Sequence, residues 1–184
     1  MKQYQSLPLS NAHRLINHGP VVLIATRSKK GIYNIAPVAW HSPVSKDPPR
    51  LVIVLGKRHA TTDAVLHTQH FAASIPSKKQ VSLVAQTGKA SGNDIDKFSD
   101  FSISSFPAAS IDVRIPHDVI GYLECRVETK IPAGNVILFI STILGAYVDN
   151  TVFKNRLLVE KEEAKTLHHL GDNYFAVPDN NIIM

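Results

Sequence analysis

Cysteine is almost absent from this chain: Cys125 stands alone among 184 residues. A single thiol excludes an intrachain disulfide and any zinc or iron–sulfur site built on cysteine. Aromatic residues make up only 7% of the sequence. None are interleaved with long basic runs, so no nucleic-acid-binding stripe is spelled out. Long apolar runs are missing too. The longest nearly uncharged stretch, residues 136–148, is too short to span a bilayer as a helix and carries Ser141, Thr142 and Gly145. Residues 1–5 lack the apolar core of a signal peptide. The expectation is a cytoplasmic protein with no membrane or nucleic-acid partner. The glycine spacings of a dinucleotide-binding turn and of a Walker A loop are also missing. Gly88-Lys89-Ala90-Ser91-Gly92 has the wrong spacing for a nucleophile elbow. Histidines are plentiful, but His67, His70, His168 and His169 have no carboxylates at metal-ligand spacing, so no metal site is expected.

What is present has the make-up of one globular domain, 44% hydrophobic and 19% charged, enough for a sizeable core. The net charge of +5 is spread over short groups such as Arg27-Ser28-Lys29-Lys30, Lys57-Arg58 and Lys78-Lys79. Most of these are solvated surface. A basic balance of this kind also suits a phosphorylated small ligand.

Strand signals dominate. Residues 21–26 form a continuous apolar run, and a polar turn at 27–31 links it to a second strand over 32–40 as a hairpin. Residues 51–55 are apolar at every position, the pattern of a strand covered on both faces. Shorter signals recur at 71–75 and 174–177. Over 122–129 the alternation is clean, with Leu123, Cys125 and Val127 on one face and Glu124, Arg126 and Glu128 on the other. Cys125 is therefore expected to be a buried, inert thiol. Residues 136–148 read as one long strand bent at Gly145. Three short helices are predicted. The first is capped by Ser10 and stopped by Gly19-Pro20. The second is capped by Thr61 or Thr62 and runs to about Gln69. The third is opened by the capping box Ser77-Lys78-Lys79-Gln80, carries Val81, Val84 and Ala85 inward, and ends near Gly88. Residues 150–167 are charged and read as a surface loop or short helix. The sum is a mainly β barrel with helical additions and no domain boundary between 1 and 184.

One region brings polar groups to the edge of apolar surface. Asn34-Ile35-Ala36-Pro37-Val38-Ala39-Trp40-His41-Ser42 is a strand with a polar tip, followed by Asp47-Pro48-Pro49 and the apolar strand at 51–55. Gly56-Lys57-Arg58-His59-Ala60-Thr61-Thr62 then opens a helix. A phosphate favours backbone N–H groups, hydroxyls and a cation at a helix N-terminus. Arg58, His59, Thr61 and Thr62 supply these at one place, and Arg58 can fork two hydrogen bonds onto phosphate oxygens. Taken alone, Thr61 or Thr62 is better read as an N-cap and Arg58 as a surface charge.

These two stretches, with Gly88-Lys89-Ala90-Ser91-Gly92-Asn93-Asp94-Ile95-Asp96-Lys97-Phe98, resemble the flavin-reductase-like family, flavoredoxins included. Leu123-Glu124-Cys125-Arg126-Val127 and His169-Leu170-Gly171-Asp172-Asn173-Tyr174 follow in family order, so the resemblance covers roughly residues 18–178. It implies an FMN-binding split β-barrel with a Greek-key core and a few short α-helices. It also implies a homodimer whose subunits together form the FMN cleft. By the same resemblance Ala39, Trp40, His41 and Ser42 line the flavin ring. Gly56, Arg58, His59, Thr61 and Thr62 hold the phosphate, and Lys89, Ser91 and Lys97 lie near the cofactor. Without the resemblance, Trp40 is as well explained as a core or interface aromatic. Lys89 and Ser91 would belong to a plain loop, and Lys97 would pair with Asp96 on a solvated turn.

The implied function is an FMN-binding oxidoreductase passing electrons from NAD(P)H through flavin to an unidentified acceptor. An FMN-holding electron carrier or flavin store is the alternative, and a pyridoxamine-phosphate-oxidase-like enzyme is a third. No catalytic acid or base is signalled. One departure stands out: many members carry Gly-Asp-His where this chain reads Gly134-Asn135-Val136. The missing imidazole bears on efficient hydride transfer from NAD(P)H, whereas FMN binding need not suffer.

Overall fold

The apolar and alternating stretches become one antiparallel sheet in the computed structural model, which describes residues 6–179. Residues 1–5, read above for a leader, lie outside that range. The first nine strands are β1 (Val22–Arg27), β2 (Tyr33–Val38), β3 (His41–Lys46), β4 (Pro49–Gly56), β5 (His70–Ile75), β6 (Ser105–Pro107), β7 (Arg114–Pro116), β8 (Gly121–Ala133) and β9 (Val136–Val148). Seven of them form the main sheet in the order β2-β1-β5-β8-β9-β4-β3. The edge strands β2 and β3 are joined directly through Ala39 and Trp40, and there the Val54 N–H of β4 donates to the Trp40 carbonyl at 2.9 Å. That is the seam of a mainly β, Greek-key split barrel.

The barrel interior holds Val22, Ile24, Ile53, Phe71, Cys125 and Phe139 among others. One end is plugged by α1 (Ala60–Thr68), which drives Val65 into that core. Outside, α2 (Val81–Lys89) covers Leu23 and Ile35 with Val84. The β6–β7 hairpin covers Ala25 and Ala72 with Val113 and Ile115. The C-terminal part adds two small hairpins, β10 (Phe153–Lys154) with β11 (Arg156–Leu157) and β12 (His168–Gly171) with β13 (Tyr174–Ala176).

Several elements differ from their sequence reading, each for a local reason. The strand expected over 32–40 stops at Val38, and its polar tip starts a separate strand, β3, at His41. Pro37 has no N–H to give, which suits an edge strand about to leave the sheet. The first helix is a 3₁₀ turn, Leu9–Leu15, capped by Pro8 rather than Ser10, and it buries none of its residues. In α1 the cap is His59, with Thr61 and Thr62 buried inside the first turn. The capping box forms as read, the Ser77 N–H donating to Gln80 Oε1 at 3.2 Å. A 3₁₀ turn (Lys78–Gln80) follows it, and its tighter winding shifts the helical phase. Val81 is thereby 39% exposed instead of inward. The charged segment 150–167 is not all surface, since Val152, Ala164, Lys165, Thr166 and Leu167 are buried. The closing strand at 174–177 pairs with β12 rather than with the main sheet.

The bend at Gly145 falls where expected: the β8–β9 register slips there and leaves Leu144 without a partner. The β8 alternation also holds. Cys125 faces the barrel interior with no exposure, and burial first, then the Glu124 charge, pushes its thiol up to about 12. Ellman's reagent should therefore leave Cys125 unmodified in the native protein and label it fully in denaturant. Rapid native labelling would contradict the packing of β8.

Candidate functional site

The outer face of the barrel at the seam carries a cleft of about 470 Å³, within the usual range for small-molecule sites. β4 explains why its sequence is apolar on both faces. Leu51, Ile53 and Leu55 are buried with the barrel core, while Val54 joins the cleft lining. The end of β2 adds Pro37, Val38 and Ala39, and Trp40 follows at the seam. α2 supplies one wall through Val84, Ala85, Gly88 and Lys89. Opposite it stand His169, Asp172, Asn173 and Phe175 of the β12–β13 hairpin, with His13 and Asn17 from the N-terminal turn. The result is an apolar floor with two polar ends.

One end is the turn from β4 into α1. His59 N–H donates to the Gly56 carbonyl at 3.1 Å, and the Thr62 hydroxyl donates to the same oxygen at 2.6 Å. The tip of the β8–β9 hairpin braces it, the Lys57 N–H donating to the Asn135 carbonyl at 3.0 Å. A Cβ on Gly56 would meet the His59 ring at 2.8 Å, so glycine lets the imidazole fold over the turn. A Cβ on Gly88 would meet Pro37 at 3.0 Å, which fixes how closely α2 approaches the floor. The first N–H groups of α1 give this end its positive character, and the Lys89 side chain also lines the cleft.

Ala39, Trp40, Gly56, His59 and Lys89 all line the cleft. The other residues singled out by sequence do not. His41 lines a second, apolar cavity, where its Nε2–H donates to the Pro20 carbonyl at 2.8 Å and burial lowers its pKa. Ser42 is exposed on β3 and donates to the Pro43 carbonyl at 3.0 Å. Arg58 is exposed on the turn itself. The Thr61 hydroxyl is buried and accepts from Asn34 Nδ2 at 3.1 Å, so neither threonine presents itself to solvent. Ser91 Oγ accepts from the Asn93 N–H at 3.1 Å.

Lys97 departs furthest from its reading. It is 3% exposed, and its ammonium donates to the Ile35 carbonyl at 2.9 Å and the Thr87 carbonyl at 2.7 Å. Desolvation lowers its pKa to about 8. Asp96 is not its partner. That carboxylate caps α3 (Lys97–Asp100) by accepting from the Phe98 and Ser99 N–H groups at 3.1 and 3.2 Å.

Sequence reasoning missed Asn34, His13, Asn17 and the use of His169 and Asp172. Asn34 is a buried amide whose Oδ1 finds no protein hydrogen-bond partner among the described residues. A Cβ on Gly92 would lie 2.3 Å from that oxygen, so the Gly88–Gly92 loop closes directly onto it. An asparagine in an otherwise apolar strand was the available signal. His13 and Asn17 come from a turn with no periodic pattern, and nothing local marked them.

Among the described residues no group of three or more His, Cys, Asp and Glu is placed to hold a metal ion, and no helix is long and apolar enough to cross a membrane. A family model described as Flavin reductase like domain matches residues 14–168. The uncharacterized protein YddH of Escherichia coli (strain K12) is 30% identical over 189 residues, covering 99% of this chain and 98% of its own. An FMN-binding domain of a flavin reductases-like enzyme from Shewanella baltica OS155 is similar in structure, with a TM-score of 0.81 at 26% identity over 98% of this chain and 96% of that one. Flavoredoxin of Desulfovibrio vulgaris (Miyazaki F) gives a TM-score of 0.86 at 19% identity, over 100% of this chain and 97% of that one.

Proposed function

The chain belongs to the flavin reductase-like family, and on that premise we propose that it holds FMN in the seam cleft and acts as an oxidoreductase, taking electrons from NAD(P)H and passing them to an acceptor. The observation that carries this reading is the cleft's make-up: an apolar floor ending at a positively polarised helix start. Val54, Leu55, Pro37 and Ala39 offer the flat apolar surface a flavin ring needs. The first-turn N–H groups of α1, with the exposed Arg58 of that turn and Lys89 on the cleft wall, suit the phosphate. The Thr61 and Thr62 hydroxyls shape the turn from inside instead of facing the ligand. Bound there, FMN would supply the two-electron redox chemistry. The residues around it bind, orient and keep water out.

A second reading, an FMN-holding electron carrier without NAD(P)H turnover, is favoured by Val136, which stands where the family's histidine is often found. Val136 pairs with Gly56, at the turn from β4 into α1. We also propose a homodimer, supported by Ile131, Leu144 and Val148, all exposed on the β8–β9 hairpin. Sedimentation at micromolar concentration checks it.

FMN titration followed by flavin fluorescence, then anaerobic NADH or NADPH, tests the function. Uptake of FMN is expected, and Arg58→Ala or Lys89→Ala should each weaken it by about tenfold, as loss of one charged phosphate contact does. Bleaching by NAD(P)H supports the reductase. Bound flavin that stays oxidised selects the carrier. A protein that takes up no FMN overturns both.

A further inference from the structure

The N-terminal turn lines the cleft through His13 but is hardly attached to it. Residues Leu9–Leu15 bury nothing, and Leu9, Leu15 and Ile16 are 90%, 70% and 81% exposed. From His18 onward the chain is stitched down. The His18 carbonyl accepts from His168 Nδ1 at 3.1 Å, the Gly19 carbonyl from the His169 N–H at 3.3 Å, and the Val21 N–H donates to the Leu167 carbonyl at 2.7 Å. Before His18, two side-chain contacts among the described residues tie the turn to the cleft. The His13 ring meets Trp40 edge-on with centroids 5.7 Å apart, and Arg14 Nη2 pairs with Asp172 Oδ1 at 3.2 Å.

The arginine has a prepared seat. Gly171 adopts φ +120°, and a Cβ there would lie 1.9 Å from Arg14 Nη1. Glycine at this position is what admits the guanidinium to the hairpin tip. The pair is nonetheless weak by design of its surroundings, since the Arg14 and Asp172 side chains are 42% and 73% exposed and open to screening. A contact that is sterically specific, energetically slight and placed at the free end of a strap is a latch. The strap's inner residues, His13 and Asn17, line the same cleft as Trp40.

We propose that residues 9–17 are the gate of the cleft, with Arg14 seated on Gly171 and paired to Asp172 as its latch. Only what passes the gate, the flavin and its electron acceptor, rests on the functional reading above. The gate itself is independent of it.

Trp40 is the chain's single tryptophan, so its accessibility reports the gate without any flavin. Trp40 is 39% exposed with the strap in place, so acrylamide quenching of the flavin-free protein should rise by about half in Arg14→Ala and in Asp172→Asn, as loss of one exposed ion pair shifts the open population. The double variant should match either single one. Salt at about 1 M should reproduce the effect in the unaltered protein and add nothing in Arg14→Ala, which guards against a folding artefact. FMN association and release should both quicken by a similar factor. Unchanged Trp40 quenching in the variants and in salt overturns the gate. So does FMN exchange that is indifferent to Arg14→Ala in a protein that binds FMN. A protein that binds no FMN overturns the flavin reading alone, and the quenching result still decides the gate.

Discussion

Replacing Glu124 by alanine should lower the unfolding free energy by about 3 kcal/mol, among the largest single-residue effects expected here. Glu124 is fully buried on the outer face of β8. Its carboxylate accepts from the Ala109 N–H at 2.6 Å, the Ser110 N–H at 3.0 Å and the Ser110 hydroxyl. These donors belong to the loop between β6 and β7, and they are what fastens that loop and its hairpin over Ala72 and Ala25. Alanine would strand the donors and leave a gap where the carboxylate sat. Glu124→Gln keeps the volume but turns an NH₂ group toward N–H donors, so about half the loss is expected, charged acceptors being the stronger ones. Urea unfolding of the three proteins measures both effects. An alanine variant within about 0.5 kcal/mol of the parent, the scatter of ordinary surface substitutions, would mean the loop is not held by Glu124.

Glu124 also shows what a sequence discloses and what it withholds. The period-two pattern placed it correctly on the face opposite Cys125. Periodicity says which face a residue takes, and says nothing of whether another layer will cover that face. The covering layer is the β6–β7 hairpin, two three-residue strands too short to leave a pattern. The same holds at the cleft. The apolar run at 51–55 and the Gly56–Thr62 turn were legible, because burial on both faces and helix starts write themselves in local composition. The opposite wall was not, since His13 and Asp172 are brought together by a chain separation of well over a hundred residues. Thr61 and Thr62 were visible as hydroxyls at a helix start. Their inward commitment depends on Asn34 and the Gly56 carbonyl, partners that only the tertiary structure supplies.

Stability should rise with pH between about 8 and 10.5 because of Lys97, by about 3 kcal/mol in total. The folded protein holds this ammonium in a desolvated site with two carbonyl partners, and burial lowers its pKa from 10.5 to about 8. Below pH 8 both states are protonated and the cost of burying the charge is constant. Between the two values the unfolded chain binds the proton more tightly than the folded one, so raising the pH favours folding. The neutral amine keeps two N–H groups, enough for both carbonyls. Other lysines and tyrosines titrate in the same range, so the quantity to follow is the difference between the parent and Lys97→Met. That difference should shift by about 3 kcal/mol in favour of the parent from pH 7.5 to 10.5 in urea unfolding. A flat difference would mean that Lys97 is solvated in solution and that its bonds to Ile35 and Thr87 do not persist. The consequence reaches the cleft, because the Thr87 carbonyl lies at the end of α2, where a cation also complements the helix dipole. Through Lys97 that end is pinned to β2, which holds Gly88 against Pro37 and keeps Lys89 on the cleft wall. Lys97→Met should accordingly weaken FMN uptake although Lys97 does not line the cleft, and should do so more than Ser42→Ala, whose hydroxyl is exposed on β3.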